Sequence, residues 1–262
     1  LTFEPHHKTF FSKNFNYFRL TPFRKKYELM RELMIDFYFN IRFSKIFSGI
    51  SAEKFVFDVL IKSLRVIHIV TGQDFVFGNK KKGDIELLQK MSADTGAFAF
   101  STVKEMENDK HEKISSSVVR KKIFEGDIKN IKDYLNRDWT IKSRVVKGEQ
   151  SGKTLGFPTA NFTTHKFCKM MYGVYAVNIK ICDSDSTQVY EGIANYGVRP
   201  TFSGTNPVLE VNIFDFNESI YGQLVEITFK SFIRNEKKFK NKSDLKTQID
   251  ADIQIAREVL KI

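Results

Sequence analysis

The stretch Ser151-Gly-Lys-Thr-Leu-Gly-Phe-Pro-Thr-Ala-Asn161 is built to hold something polar. Gly152 and Gly156 free the backbone, and Pro158 fixes φ and removes a donor just ahead of Thr159 and Asn161. These last two stand two apart, so an extended segment points both side chains to one face, where their oxygens suit Mg²⁺ and phosphate. The alternative is a loop in which Thr159 and Asn161 bond only neighbouring backbone. Gly148-Glu-Gln-Ser-Gly-Lys-Thr154 imitates a phosphate-cradling P-loop but has three residues before its Gly-Lys-Thr where that motif needs four. Gly156 and Pro158 then block the long helix a P-loop feeds, so a P-loop NTPase is excluded.

Upstream of about residue 139, strand-like and helix-like segments alternate. Thr21 and Pro22 open a helix with Phe23, Tyr27, Met30 and Met34 at helical spacing, and Phe37 to Phe43 follows as a short aromatic strand. Ser51 caps a second helix carrying Phe55, Val59 and Leu60, and Val66-Ile-His-Ile-Val70 reads as a buried strand. Asp84 starts a helix with Leu87, Leu88 and Met91, and Ala97 to Val103 is again strand-like. This rhythm predicts a mostly parallel sheet covered by helices, with ligands at the carboxyl ends of the strands, near Thr71 to Gly78. Ile114-Ser-Ser-Ser-Val-Val-Arg120 places Ser115 and Ser116 at a helix start with Arg120 a turn later, either a phosphate site or a serine-rich cap with an exposed arginine.

Beyond Trp139 the strand-like segments 141–147, 173–181, 189–194, 208–216 and 224–229 succeed one another without a helix, which predicts a small antiparallel barrel or sandwich. Tyr175, Val177, Ile179 and Ile181 alternate with Ala176, Asn178 and Lys180, as for a strand with one wet face. A helical stripe of Leu245, Ile249, Ile253, Ala256 and Leu260 ends the chain and is expected to pack on the barrel without carrying chemistry. The expected domains are therefore 1–138 and 139–262. Glu210 shares a strand face with Val208, Asn212 and Phe214, and serves either as a general base or as an ordinary residue on a wet face.

Composition agrees with a globular chain: 262 residues, 42% hydrophobic, formal net charge +11. The charge favours anionic partners but is interleaved with 31 acidic residues. Cys168 and Cys182 lack metal-ligand spacing, which disfavours zinc and fits a reducing, cytoplasmic setting. No apolar run approaches the roughly 18 residues of a membrane span, and no signal peptide is evident. The start at Leu1-Thr-Phe-Glu, already strand-like and without Met, suggests a chain that begins partway through a domain.

From Trp139 onward, Gly152 to Asn161, Gly173-Val-Tyr-Ala-Val177, Gly192 to Phe202, Leu209-Glu-Val211, Tyr221-Gly222 and Phe232 to Phe239 occur in an order and spacing that resemble bacterial riboflavin kinase. The resemblance implies transfer of the γ-phosphoryl of ATP to the 5′-hydroxyl of riboflavin, giving FMN. It assigns ATP to Gly152, Lys153, Gly156 and Pro158, Mg²⁺ and phosphates to Thr159 and Asn161, and the base to Glu210. Asn195, Arg199 and Arg234 match positions near the ligand loops, although Arg234 fits a structural ion pair equally well. Such chemistry needs positioning, charge neutralisation and a base.

The first part, through Thr2-Phe-Glu-Pro-His6, Gly72 to Gly78 with Asp74 and Phe75, Lys82-Gly-Asp84 and Ile114 to Arg120, resembles the Rossmann-like FMN adenylyltransferase module of bifunctional FAD synthetases. The resemblance puts Ser115, Ser116 and Arg120 on ATP phosphates. Val76 stands where that family usually has Arg, and His7 where it usually has Pro. The family's first strand and its loop with two histidines separated by two residues have no counterpart, the five histidines being His6, His7, His68, His111 and His165. The domain is thus read as N-terminally truncated and incomplete, with FAD synthesis impaired in this chain and present in a full-length parent. The competing readings are a basic nucleic-acid-binding protein and a flavin-binding protein without catalysis; the expected partners are riboflavin, FMN and ATP, with neither nucleic acid nor membrane, and the oligomeric state is open.

Overall fold

The computed structural model describes residues 1–12, 18–148, 156–183, 187–198 and 207–261. Contacts divide the chain into two compact units, Leu1–Phe15 with Met30–Ile114, and Asn16–Leu29 with Ser115–Ile262. Residues 16–29 and 115–138 thus group with the C-terminal unit, a different partition from the expected boundary at residue 139.

In the first unit, β1 (Thr2–Glu4) pairs in parallel with β2 (Asn40–Arg42), and β3 (His68–Gly72) pairs in parallel with β4 (Ala99–Val103). The parallel sense follows from the crossover between β3 and β4, the helix Ile85–Thr95. Asp84 caps that helix by accepting from the Leu87 N–H at 2.9 Å, and Gly96, left-handed at φ 59°, ends it. Ser51 caps Ala52–Lys54, which runs on into the π-helical stretch Phe55–Ser63. Phe55, Val56 and Leu60 join Ala52, Phe77, Leu88 and Phe98 in the core. Gly78 has φ 73°, and a Cβ there would lie 2.7 Å from the Ala52 Cα, so close backbone approach requires glycine.

Four expectations need correction. The parallel strands form two separate two-stranded ladders rather than one sheet among the described residues. The strand expected to be buried at Val66–Val70 begins at His68 and alternates between exposed and half-buried, with Val70 58% exposed, because a two-stranded ladder has few flanking neighbours. The aromatic strand shrinks to Asn40–Arg42, leaving Phe37 outside it and exposed. The helix after Pro22 spans Phe23–Glu32, and Met34 falls beyond it with φ 55°, after the Arg31 carbonyl accepts from the Met34 N–H.

The second unit is a closed six-stranded barrel. Its strands are β5 (Thr140–Val146), β6 (Ala160–Thr163), β7 (Gly173–Ile181), β8 (Val189–Val198), β9 (Pro207–Ile213) and β10 (Leu224–Asn235), in the spatial order β10-β5-β6-β9-β8-β7 and antiparallel throughout. Side chains alternate across the wall: Leu209, Val211 and Ile213 of β9 are buried, whereas Val208, Glu210 and Asn212 between them are half-buried. Trp139, just before β5, donates from Nε1 to the Leu20 carbonyl at 3.0 Å and packs its ring, tilted, 5.3 Å from that of Phe229, which ties Leu20 to the barrel.

The helix Lys242–Leu260 starts at Asn241, whose side chain accepts from the Asp244 N–H at 2.8 Å. It packs Ala256, Ile253, Val259 and Leu260 on Val174, Ala176, Ile193 and Phe214. For that reason the expected wet face of β7 is dry in its first half: every residue from Gly173 to Val177 is buried, and Lys180 alone is exposed.

Candidate active site

Register brings together residues that lie far apart in sequence. Asn161 on β6 pairs with Glu210 on β9, Glu210 pairs with Asn195 on β8, Asn195 with Val174 on β7, and Val174 with Arg234 on β10. Directly paired residues point to the same face. Since the neighbours Leu209 and Val211 face the barrel interior, Asn161, Glu210, Asn195 and Arg234 form one rung on its outside. Four residues singled out from the sequence thus stand on a single line.

Each position is held differently. Asn161 is 4% exposed, with Gly148 laid against its amide so closely that a Cβ at 148 would collide with it. Its hydrogen bond among the described residues is a long one, 3.5 Å from Nδ2 to the Thr159 carbonyl. Arg234 is fully committed: Nε and Nη2 grip Asp252 of the last helix at 2.6–3.0 Å, and Nη1 donates to the Asn235 carbonyl at 2.9 Å. Asp252 is 2% exposed and takes a further bond from Gln248 at 2.9 Å. The structural ion pair is therefore the arrangement observed for Arg234, and the last helix supplies a polar anchor that its apolar stripe did not reveal. A buried aspartate between apolar positions at helical spacing was the available signal.

Beside the rung, at the barrel mouth, a cavity of about 440 Å³ is lined by Val145, Thr159, Ala160, Val211, Ile213, Phe216 and Tyr221, with Pro158, Asn217, Glu218, Ser219 and Ile220 completing it. Its walls are mostly apolar, and Thr159 links it to Asn161 and Glu210. The Tyr221-Gly222 turn closes one side: Gly222 has φ 78°, its N–H donates to the Val145 carbonyl at 3.0 Å, and its carbonyl accepts from Arg144 at 2.7 Å. Asn212 fixes the opposite side by donating to the Pro158 carbonyl at 2.7 Å. Such a pocket accommodates a flat apolar ring with a polar chain leading towards the rung.

The donor set fits Mg²⁺ rather than a caged metal. Among the described residues no group of three His, Cys, Asp or Glu side chains could hold an ion. Neutral oxygens such as those of Thr159 and Asn161 suit an Mg²⁺ that keeps most of its ligands as water and phosphate.

The remaining positions are dispersed. Ser115 caps the helix Ser116–Phe124 by accepting from the Val118 N–H at 3.3 Å, and Ser116 is exposed at its first turn. Arg120 turns away from them: its Nε donates to the Phe18 carbonyl at 2.8 Å and its guanidinium lies 3.9 Å over the Phe18 ring, where burial lowers its pKa. Asp74 is exposed just after β3, and Phe75 stacks 5.4 Å from Phe77. Gly156 has φ 88°, as a turn glycine should. Gly152, Lys153 and Arg199 lie outside the described residues.

Comparison with known proteins adds a family dimension to this geometry. A riboflavin kinase family model matches residues 135–260, and an FAD synthetase family model matches residues 1–118. The bifunctional riboflavin kinase/FMN adenylyltransferase of Buchnera aphidicola subsp. Acyrthosiphon pisum is 37% identical over 263 residues, covering 99% of this chain and 82% of that protein. Its counterpart in Escherichia coli K12 is 34% identical over 258 residues, covering 98% of this chain and 81% of the relative. A solved structure described as a macrolide-efflux protein from Streptococcus pneumoniae superposes with a TM-score of 0.77 at 30% identity, over 91% of this chain and 75% of that one. The efflux description belongs to that protein; among the described residues here, no helix is long and apolar enough to cross a membrane.

Proposed function

The chain belongs to the bifunctional riboflavin kinase/FMN adenylyltransferase family, and from that membership we propose that its barrel transfers the γ-phosphoryl group of ATP to the terminal hydroxyl of riboflavin. One observation carries the site assignment: Asn161, Glu210 and Asn195 are register partners on three neighbouring strands.

The apolar cavity at the barrel mouth takes the adenine, and its Thr159 rim directs the phosphates outward to the rung. Thr159 and Asn161 contribute oxygens to Mg²⁺, which when bound offsets the negative charge of the phosphates. Glu210 accepts the proton of the attacking hydroxyl, and Asn195 beside it orients that hydroxyl. The phosphoryl group passes directly from ATP to the hydroxyl oxygen, so the protein's part is placement, exclusion of water and one proton acceptor. Arg234, held by Asp252, fixes the strand end next to the rung. Gly152, Lys153, Gly156 and Pro158 are proposed to contact the nucleotide, and Arg199 to contact a ligand.

Asp74 and Phe75, and separately Ser115, Ser116 and Arg120, are proposed to serve adenylylation of FMN to FAD. The functional modules are proposed to be 1–138 and 139–262, and the free thiols fit a cytoplasmic setting. The burial of Trp139, Tyr175, Phe162 and Phe229 in the barrel supports the enzyme reading over stacking on single-stranded nucleic acid.

Glu210→Gln tests the site. Riboflavin binding, followed by quenching of flavin fluorescence, should survive, while FMN formation falls by roughly 10² or more. Unchanged turnover would remove Glu210 from its role as base.

A further inference from the structure

Glu236 is the first residue beyond β10, whose last residue, Asn235, pairs with Gly173, which in turn pairs with Tyr196. This path brings Glu236 to β8 at Gly197. A Cβ on Gly197 would collide with the Glu236 carboxylate, whose Oε1, Cδ and Oε2 are the three nearest atoms. The carboxylate therefore lies directly against the Gly197 backbone, and a side chain at 197 would displace it.

Gly197 is two residues past Asn195 and shares its outward face. Its partner on β9 is Val208, two residues before Glu210. Gly197 and Glu210 are thus diagonal neighbours on the outer wall, about 7–8 Å apart at this relation, with Asn195 adjoining both. Glu236 makes no hydrogen bond or ion pair among the described residues, and the nearby Arg234 is committed to Asp252. Although the residue is exposed, contact with the strand strips enough water from its carboxyl to raise the pKa above the ordinary glutamate value, against the pull of Arg234. A partly dried carboxylate with no partner among the described residues, one position along from a base and an amide, is suited to a neutral ligand rich in hydroxyls.

We propose that Glu236, seated on Gly197, is a substrate-binding carboxylate of the kinase site that accepts hydrogen bonds from the hydroxyl chain of the flavin and so delivers its terminal hydroxyl to Glu210. The assignment rests on the riboflavin kinase reading.

Steady-state kinetics of Glu236→Ala and Gly197→Ala, each compared with the unaltered chain, test it. Both variants should raise KM for riboflavin roughly ten-fold while KM for ATP stays within about two-fold. Combining them should add nothing, because Gly197→Ala acts by displacing the same carboxylate. Inhibition by lumiflavin, a flavin without the hydroxyl chain, should keep its inhibition constant in Glu236→Ala. Riboflavin KM unchanged in Glu236→Ala, or both KM values and the lumiflavin constant worsened together, would overturn the assignment while leaving the kinase reading intact. Failure of the unaltered chain to form FMN would overturn both.

Discussion

Cys168 illustrates how burial alone sets chemistry at one residue. The thiol is 3% exposed, and loss of water pushes its pKa up to about 12 despite the nearby Arg120. The folded chain keeps this proton where the unfolded chain releases it, near pH 9. The resulting stabilisation is fully present below about pH 9 and is lost as pH rises towards 12. Tyr175, also raised by burial, acts in the same sense at higher pH. Denaturant midpoints at pH 8 and pH 10.5 should therefore diverge more for the native chain than for Cys168→Ala; equal divergence would mean that the thiol does not couple to folding. At this scale the sequence was partly legible. Thr159 and Asn161 stood out by type and spacing, and Glu210 by its apolar neighbours. What joins Asn161 to Glu210 and Asn195 is strand register, a long-range property that no local pattern encodes. Glu236 was hidden for the same reason, since its surroundings come from Gly197, 39 positions away.

Elements carried their own signals unevenly. The alternation in β7 and the wholly apolar face of β9 identified strands, and the chain returned to helix where the apolar stripe began. β6 escaped because it follows Pro158 and is only four residues long, which resembles a loop; pairing on both sides makes it a strand. The wet face read for half of β7 is covered by the last helix, and only tertiary packing decides that. That helix is anchored to β10 through Arg234 and Asp252, a buried ion pair whose aspartate also bonds Gln248. Removing one partner leaves the other charge unpaired, so Asp252→Ala should lower stability by about 3 kcal/mol. Thermal unfolding would register this as a clear fall in midpoint; a variant as stable as the parent would show that the helix is held by its apolar stripe alone.

For the whole molecule, composition and the change of rhythm near Trp139 foretold an α/β part followed by an all-β part. Which distant segment completes which unit was not legible. Residues 16–29 join the barrel through backbone and charge: the Arg19 carbonyl accepts from the Cys168 N–H at 2.7 Å, Leu20 from Trp139 at 3.0 Å, Lys25 pairs with Glu226 at 2.7 Å and Glu28 with Lys142 at 2.8 Å. A fragment of residues 139–262 loses all four contacts together with the helix Ser116–Phe124. It should melt well below the barrel of the intact chain, and an equal midpoint would show that these contacts contribute nothing.

The most direct measurement is to incubate the chain with riboflavin, ATP and Mg²⁺ and resolve riboflavin, FMN and FAD by chromatography. The barrel site predicts conversion of riboflavin to FMN, and no FMN when Mg²⁺ is chelated. Riboflavin left untouched by folded protein would contradict the assignment of phosphoryl transfer to the Asn161–Glu210–Asn195 rung.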